Sequence, residues 1–396
     1  MRIAYVSWSI IPSRFANSVH VMKMCNAFAH RGHEVTLYCR APSSDTNGDP
    51  FGHYAVDPCF QIKAISVPEG PRGQLRYALA VRRRIKMEMP DLVYGRHVYS
   101  LLLAALRGLP VVFDSHSPSE LAGRWIERYL RWLTELFLFR CKTSLRLICV
   151  SQGLLDRYER RYPRLHEQVG VLVCPNGADV RELPRSVCAD PEVAKGPDVP
   201  VIGYVGTFGP GRGIETVLDL ARRNPKCTFL IAGCSADQVL SLSNDTQLPS
   251  NIDCLGYVKP EDLPDVYASI DVALAPYQKN LEVGRTVGVA SYMSPMKVFE
   301  YMAHGKAILA SDLAVIREVI SDGIDGLLVS PADGSAWNRQ LRRLGAEKEL
   351  RSRLGRAAHA KATRLHSWDA RAAAVLQGLE SAAASSDIRH DPWSGP

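Results

Sequence analysis

The chain has 396 residues with a net charge of +7, of which 46% are hydrophobic and 22% charged, a balance typical of a soluble globular protein with two or three domains. No apolar run reaches the roughly 18 residues of a membrane span, the N-terminus lacks a signal-peptide pattern, and the ten cysteines contain no C-x-x-C pair. We therefore expect a cytoplasmic protein without a zinc finger or a disulfide framework.

The charge is unevenly distributed along the chain. Residues 1–190 contain 26 Lys and Arg against 17 Asp and Glu, a net charge of +9, whereas the remainder contains 22 against 24, a net charge of −2. A basic half joined to a near-neutral half indicates two domains with different partners.

The first half alternates short apolar runs with amphipathic segments, as βαβ units do. Predicted strands cover residues 2–7, 34–39, 61–67, 92–94, 111–114, 147–150 and 169–174, and predicted helices cover 17–30, 72–89, 98–107 and 120–145. Residues 42–58, rich in Pro, Gly, Asp and Asn, are predicted to form a loop. The alternation predicts an N-terminal α/β domain over residues 1–185, with a parallel sheet covered by helices on both faces.

His116 is the first candidate for chemistry. It follows the predicted strand 111–114, and ligands of open α/β sheets bind outside the carboxyl ends of the strands. The alternative is a loop histidine that only makes structural hydrogen bonds. A Ser-His-Asp triad from Asp114, Ser115 and His116 is rejected, because neighbours in sequence rarely point at one another as a triad requires.

Two basic segments could contact an anionic membrane surface. Residues 72–89 include Arg82, Arg83 and Arg84, and residues 120–146 combine arginines with Trp, Tyr and Phe. For 120–146, a core helix whose arginines face solvent is the favoured interpretation. No recognition motif or stacking platform accompanies these charges, so we expect no nucleic-acid partner.

Residues 201–221 are the most informative segment of the second half of the chain. An apolar strand at 201–205 leads through a loop with glycines at 206, 209, 211 and 213 into a helical pattern. The helix N-terminus and Arg212 favour an anion, most simply a phosphate. The spacing matches neither the dinucleotide fingerprint nor the P-loop, which would need Lys-Ser/Thr at Arg212-Gly213 to hold magnesium. The alternative is a glycine-rich turn without a ligand.

The remaining elements continue the α/β pattern. Strands are predicted at 228–232, 252–258, 271–276, 307–311 and 327–329, a loop at 277–292, and helices from about 333 to 383. We predict a linker at 186–200, a C-terminal domain at 201–365, a helix at 366–384 that could pack on the first domain, and a disordered tail at 385–396.

Residues 294–306 predict a helix with a ligand at its start. Ser294 suits the N-cap, Pro295 the first helical position and Gly305 the end of the helix. Lys297 opposes the helix dipole, which makes sense if an anion lies there. Glu300, on the same face, could accept hydrogen bonds from ligand hydroxyls. Taken alone, the pair is better explained as an exposed i,i+3 contact.

Together these stretches resemble the family 4 glycosyltransferases of the GT-B fold, over roughly residues 1–375. The motifs that carry the resemblance are Gly32-His-Glu-Val-Thr-Leu37, Pro175-Asn-Gly-Ala-Asp179, Gly256-Tyr-Val258 followed by residues 271–277, Phe299-Glu-Tyr-Met-Ala-His-Gly-Lys306 and Asp325-Gly-Leu-Leu-Val329. Each motif is weak alone, but five in order at sensible spacing are specific. The resemblance implies two Rossmann-like domains facing a central cleft.

The resemblance also implies an activity, which is retaining transfer of a sugar from a nucleotide diphosphate donor. By position, Arg212 matches the family's phosphate-binding Lys, Glu300 its ribose-binding Glu and His116 its active-site histidine, and the backbone of Val258 falls where the nucleobase is read. The predicted catalytic set is His116, Arg212 and Lys297, and the predicted donor-binding set is Gly206, Thr207, Arg212, Gly213, Val258, Pro295, Met296, Lys297 and Glu300.

The implied acceptor is a glycan or lipid-linked molecule that binds the first domain. This places the enzyme in cell-envelope or exopolysaccharide biosynthesis, in the cytoplasm or at the inner face of the membrane. No D-x-D motif is present, so we predict that neither a metal nor another cofactor is required.

Three positions depart from the family pattern. Tyr292 replaces the first Glu of E-x7-E, Thr207 replaces a basic residue, and Phe15-Ala16 replaces a glycine pair. We expect Lys297 and the backbone amides that follow Pro295 to compensate partly for the lost phosphate contact, although Pro295 itself has no N–H.

Two other classes of protein stay open. A nucleotide-sugar epimerase of the same fold would convert the donor alone into a new sugar. A non-catalytic two-domain ligand-binding protein would not hydrolyse the donor even slowly.

Overall fold

The computed structural model describes residues 1–42, 48–118, 125–183, 199–243, 245–283 and 286–379. They form two compact units. The N-terminal unit contains Met1–Pro175 and the C-terminal part of the chain from Arg371, and the C-terminal unit contains Asn176–Ala370. Each unit is built on a parallel sheet with helices packed against it, which confirms the predicted α/β architecture.

The sheet of the N-terminal unit has seven parallel strands in the order β3-β2-β1-β4-β5-β6-β7. They are β1 Arg2–Ile10, β2 Glu34–Arg40, β3 Gln61–Ile65, β4 Leu92–Gly95, β5 Val111–Ser115, β6 Ser144–Cys149 and β7 Gly170–Val173. The helices are Ala16–His30, Pro50–Tyr54, Pro71–Glu88, Val98–Ala105, Trp125–Arg140, Gln152–Arg161 and Leu165–Gln168. The strand order reverses between β1 and β4, and ligands of such sheets bind at that point, beyond the carboxyl ends.

The main sheet of the C-terminal unit has six parallel strands in the order β10-β9-β8-β11-β14-β15. They are β8 Val201–Val205, β9 Thr228–Ala232, β10 Ile252–Gly256, β11 Val272–Ala275, β14 Ala307–Ser311 and β15 Leu327–Val329, and β12 Glu282–Val283 pairs with β13 Thr286–Val287 in a separate hairpin. The helices are Ile214–Arg223, Ala236–Ser243, Leu263–Ser269, Met296–Ala303, Ala314–Arg317, Gly334–Ala346, Lys348–Leu365 and Trp368–Leu376. The order reverses between β8 and β11, so the glycine loop after β8 lies at the reversal.

Three predicted elements are wrong in part. The predicted helix 120–145 extends too far, because the observed helix ends at Arg140 and Ser144 begins the sixth strand, where it pairs with Val111. Residues 119–124 lie outside the described residues. The predicted loop 42–58 contains a short helix, whose N-terminus is capped by the Asp49 carboxylate. The predicted loop 277–292 contains the small hairpin and a 3₁₀ turn.

The boundary between the units lies at Pro175–Asn176, ahead of the predicted boundary at residue 185. The Asn176 backbone N–H donates to Ser294 Oγ at 2.9 Å, and its side-chain amide donates to the Ser294 carbonyl at 2.9 Å. The Ala178 N–H donates to the His366 carbonyl at 2.9 Å. These bonds attach residues 176–178 to the C-terminal unit. Residues 186–198 of the predicted linker lie outside the described residues.

The predicted C-terminal helix is observed as Trp368–Leu376, and from Arg371 onward it belongs to the N-terminal unit. Arg146 donates to the Val375 carbonyl at 2.9 Å and to the Gln377 carbonyl at 3.0 Å. Residues 380–384 of the prediction and the predicted tail 385–396 lie outside the described residues. In the described part of the chain, no helix is long and apolar enough to cross a bilayer.

Candidate active site

The glycine loop of the C-terminal unit is held in a conformation that requires glycine. Gly206, Gly211 and Gly213 have φ of +131°, +76° and +83°. A Cβ on Gly213 would lie 1.9 Å from the Pro276 carbonyl oxygen, and one on Gly211 would lie 2.5 Å from Leu281 Cα. The loop therefore packs backbone to backbone, and Gly213 directly precedes the helix that begins at Ile214.

Arg212 is held by the loop itself. Its Nη1 donates to the Thr207 carbonyl at 3.1 Å and to Thr207 Oγ1 at 3.0 Å, and the side chain is half-buried. Thr207, which stands where the family has a basic residue, thus orients the guanidinium. Its other guanidinium nitrogens make no hydrogen bond with a described residue, which leaves them for a ligand.

Lys297 lies against the same loop, on the buried face of the helix Met296–Ala303. Only 7% of the residue is exposed, and its Nζ has no hydrogen-bond partner among the described residues. The ammonium lies 3.4 Å from the centroid of the Tyr204 ring and 5.1 Å from that of Tyr277. A Cβ on Gly206 would lie 3.4 Å from Nζ. The interpretation of Lys297 and Glu300 as an exposed surface pair is therefore wrong.

A buried ammonium without hydrogen bonds is energetically unfavourable. Burial, with the Arg212 guanidinium acting in the same direction, holds the pKa of Lys297 well below its ordinary value. The two tyrosine rings offset part of this cost through cation–π contact. An anion bound at the glycine loop would supply the missing partner.

Glu300 is anchored one turn along the helix. The Tyr267 hydroxyl donates to Glu300 Oε2 at 2.6 Å, and Tyr267 is itself buried. The helix starts differently from the prediction, because Pro295 and not Ser294 is the N-cap. Ser294 is taken up by its hydrogen bonds with Asn176, so no side chain caps the N-terminus of this helix.

The remaining predicted donor residues are more dispersed. Pro295 is buried and Met296 half-buried at the start of the helix. Val258 is half-buried beyond the end of β10, an edge strand two positions from β8. The structure thus brings Gly206, Arg212 and Lys297 together at one loop. It also places Tyr204 and Tyr277 beside Lys297, a contact that the sequence analysis did not predict. The only sequence signal for Tyr204 was its place near the end of a strand that leads into the glycine loop.

His116 of the N-terminal unit belongs to a buried ionic network around Asp114. The Arg371 Nη2 donates to both carboxylate oxygens of Asp114, at 2.9 and 3.2 Å. His20 Nε2 lies 3.2 Å from Asp114 Oδ2, and His116 Nε2 lies 3.3 Å from Oδ1. Tyr94 also donates to the carboxylate. Sequence reasoning missed His20 and Arg371, because they lie 94 and 257 residues from Asp114 in the chain.

The protonation states in this network follow from burial and charge. Burial opposes ionisation of Asp114, but Arg371 and then the histidines outweigh it and hold the pKa of Asp114 well below its ordinary value. Burial, with the Arg96 guanidinium acting in the same direction, lowers the pKa of His116 to about 4. His116 is therefore a neutral imidazole at pH 7 that can accept or donate a hydrogen bond.

The same cluster has the spacing of a metal site. The ligand atoms of His20, Asp114 and His116 lie within 4.8 Å of one another. However, the Arg371 guanidinium already bonds to both oxygens of Asp114, and a metal ion there would face that charge. The arrangement therefore fits an ion pair with two flanking histidines better than a metal centre.

The two predicted membrane-facing helices both expose apolar side chains. On the helix Pro71–Glu88, Leu75 is 60% exposed beside exposed arginines, although Arg84 is only half-exposed. On the helix Trp125–Arg140, Trp125 is 69% and Phe137 54% exposed. The favoured interpretation of the second helix as a core helix is therefore wrong for Trp125, Tyr129 and Phe137, which face outward, but it holds for the buried Phe139.

Comparison with known proteins agrees with this architecture. Residues 18–182 match the family described as Glycosyltransferase Family 4, and residues 189–361 match Glycosyl transferases group 1. The phosphatidyl-myo-inositol mannosyltransferase of Mycobacterium leprae is 30% identical over 385 residues, covering 92% of this chain and 93% of that protein. The alpha-D-kanosaminyltransferase of Streptomyces kanamyceticus is 21% identical over 311 residues, and the match covers 72% of this chain and 75% of that protein.

Solved structures show the same fold. Sucrose-phosphate synthase from Thermosynechococcus elongatus superposes with a TM-score of 0.70 at 19% identity, covering 98% of this chain and all of that chain (100%). HepE from Anabaena, in complex with UDP-glucose, superposes with a TM-score of 0.66 at 16% identity, covering 96% and 100%. The fold is GT-B, with two Rossmann-like units, and the chain belongs to the family 4 glycosyltransferases.

Proposed function

We propose that this glycosyltransferase moves a sugar from a nucleotide diphosphate donor to a glycan or lipid-linked acceptor, with retention of configuration at the anomeric carbon. The acceptor would belong to cell-envelope or exopolysaccharide biosynthesis. The observation that carries the proposal is the buried Lys297 ammonium, which lies against the glycine loop that presents Arg212 and makes no hydrogen bond with any described residue. That HepE binds UDP-glucose, and that a relative at 30% identity is a mannosyltransferase, supports a nucleotide-sugar donor.

In this proposal the leaving diphosphate is stabilised by protein groups. Negative charge grows on the diphosphate as the bond to the sugar breaks, while the sugar becomes cation-like. Lys297, Arg212 and the N-termini of the helices that begin at Ile214 and Met296 would bind the diphosphate. Glu300, held by Tyr267, would accept hydrogen bonds from the ribose hydroxyls. No metal enters this scheme, and that remains a prediction.

The N-terminal unit would supply His116 and bind the acceptor. With its pKa lowered to about 4, His116 is neutral at pH 7 and would hydrogen-bond a hydroxyl of the transferred sugar without adding a positive charge beside the cation-like carbon. Asp114 would fix the imidazole orientation, because Arg371 holds the carboxylate in place.

Replacing Arg212 with Ala is expected to lower turnover about a hundredfold, because removing one donor to a developing negative charge raises the barrier by about 2.7–4 kcal/mol. The measurement is release of the nucleoside diphosphate in the presence of acceptor. Arg223→Ala is the matched control, since Arg223 lies on the following helix and its side chain pairs with the partly exposed Asp219. A change of less than about threefold in Arg212→Ala would show that the loop does not bind the diphosphate.

We also propose peripheral attachment to the anionic cytoplasmic face of the membrane through the helix Pro71–Glu88. Arg82 and Arg83 are exposed on it, near the exposed Leu75. Each basic residue near an anionic surface contributes about 1 kcal/mol. Reversing both charges, Arg82→Glu with Arg83→Glu, should therefore weaken sedimentation with phosphatidylglycerol vesicles by about tenfold or more.

The control for this experiment reverses two exposed arginines of the C-terminal unit, Arg353→Glu with Arg356→Glu. It changes the net charge equally and should leave vesicle binding within about twofold of wild type. Failure of the wild-type protein to bind these vesicles would remove the membrane proposal and leave the transferase proposal untouched.

A further inference from the structure

A recess of about 230 Å³ opens beside His116 in the N-terminal unit. It forms because β1, β4 and β5 are neighbours in register, with Val6 opposite Gly95 and Gly95 opposite Phe113. The residues that follow these three strand positions therefore meet at one level. Its polar lining includes Ser7, Ser9, Asn17, Arg96, His116 and Arg131. We call it the Arg96 recess.

Arg96 is placed in the recess by its backbone. Gly95 has φ of +152°, and a Cβ there would lie 2.1 Å from the Val6 carbonyl oxygen, so only glycine fits before Arg96. The Arg96 N–H donates to that same carbonyl at 2.9 Å. The backbone conformation at the end of β4 thus places the Arg96 side chain in the lining of the recess.

Arg96 is half-buried, and within the described part of the chain one buried nitrogen of its guanidinium has no hydrogen-bond partner. This nitrogen is Nη1, and the Asp114 carboxylate that also lines the recess is bonded to Arg371 instead. Burial lowers the pKa of Arg96, with Tyr5 and Asp114 acting in the opposite direction. A buried guanidinium nitrogen left unpaired is a costly arrangement unless a ligand completes it.

The other charges around the recess cancel one another. Asp114 is paired with Arg371, and Arg131 donates to the buried Glu135 at 3.1 Å and to the Ser117 carbonyl at 3.1 Å. His116, with a pKa of about 4, is neutral at pH 7. Among the described residues that line the recess, Arg96 is therefore the uncompensated charge, and Asn17 and the serine hydroxyls add neutral hydrogen-bonding groups.

We propose that the Arg96 recess binds an oxyanion of the acceptor, a phosphate or a carboxylate, close to the hydroxyl that receives the sugar. This inference rests on the proposed function, in which the N-terminal unit binds the acceptor. A guanidinium with a free face is the protein group best suited to either oxyanion. Since His116 lines the same recess, the anion would lie close to the residue assigned to the transferred sugar. The acceptor is then an anionic molecule and not a neutral glycan end.

The test uses the full chain and three probes with a three-carbon skeleton, which are glycerol 1-phosphate, glycerate and glycerol. A thermal-shift screen with UDP, GDP, ADP and dTDP first identifies the nucleoside diphosphate that binds. Probe binding is then measured by calorimetry with that nucleotide at saturation, so that the phosphate site at the glycine loop is filled. We expect one or both anions to bind and glycerol not to bind. The anion that binds more tightly shows whether the recess prefers a phosphate or a carboxylate.

Arg96→Met should weaken binding of the preferred anion about tenfold or more, the effect of losing a charge-assisted hydrogen bond. Arg96→Lys keeps the positive charge but loses the bidentate hydrogen-bonding geometry, so its affinity for the anion should lie between those of wild type and Arg96→Met. Arg107→Met removes an exposed arginine of the same unit and should change affinity less than about twofold. Asn17→Asp, at an exposed position of the lining, adds a repulsive charge without disturbing the core and should also weaken binding.

The outcomes separate this inference from the proposed function. If a nucleotide binds but neither anion does, or if anions bind equally to wild type, Arg96→Met and Asn17→Asp, the inference is wrong and the transferase proposal stands. If no nucleoside diphosphate binds to the wild-type protein, the proposed function itself fails.

Discussion

Replacing Lys297 with Met is expected to reduce turnover by a hundredfold or more while leaving the ligand-free protein folded. The effect on turnover should exceed that of Arg212→Ala, because Lys297 is only 7% exposed whereas Arg212 is half-buried. A charge in a less polar environment interacts more strongly with a diphosphate than one near water. The measurements are nucleotide release with acceptor present and nucleotide affinity by calorimetry.

The same substitution separates a functional charge from a structural one. Lys297 Nζ makes no hydrogen bond within the described chain, and its favourable contacts are the rings of Tyr204 and Tyr277. Met fills a similar volume without a buried charge, so the free energy of unfolding should stay within about 1 kcal/mol of wild type. Lys259→Met, at an exposed site of the same unit, is the control and should change neither property. A large loss of stability with unchanged nucleotide affinity would show that Lys297 is structural.

Replacing Arg371 with Met is expected to lower the free energy of unfolding by about 3–5 kcal/mol, since it leaves the Asp114 carboxylate buried without its cation. Arg371 is 1% exposed and also donates to the Pro175 carbonyl at 3.0 Å and to Tyr94 at 3.2 Å. Unfolding in urea, followed by circular dichroism, measures the loss. Arg364→Met, at an exposed position of the preceding helix, should have little effect.

A double variant tests whether the loss comes from the ion pair. Asp114→Asn removes the negative charge, so Arg371→Met combined with Asp114→Asn should cost less than the sum of the single changes. Additive losses, or a loss below about 1 kcal/mol in Arg371→Met, would show that Asp114 is stabilised by other groups.

The pH dependence of stability gives a second readout of this pair. Burial lowers the pKa of His20 well below its ordinary value and that of His116 to about 4, so the unfolded chain binds more protons than the folded chain between about pH 6.5 and 4. The free energy of unfolding therefore falls as the pH drops through this window. Arg371 contributes to both pKa shifts, so Arg371→Met should be less sensitive to this acidification.

Much of the fold could be predicted from local patterns. The strands of the six-stranded sheet are predicted nearly to the residue, because buried parallel strands read as nearly continuous apolar runs, as in Val201–Val205 and Thr228–Ala232. Where an element depends on tertiary partners, the pattern failed. The predicted helix 120–145 extends into Ser144 and Leu145, yet these two residues begin β6, where Ser144 pairs with Val111 of β5.

The sequence by itself determined the α/β class, the glycine loop, the placement of Arg212 beside it and the family, because these depend on short-range periodicity and on motifs whose residues are adjacent in the chain. Only the tertiary structure decided that Lys297 is buried under that loop, that Thr207 holds Arg212, and that Arg371 joins Asp114 across 257 residues. The physical reason is that burial and ion pairing depend on which distant segments pack together. Neither an i,i+3 spacing nor a count of charges shows which residues from distant parts of the chain will surround a given side chain.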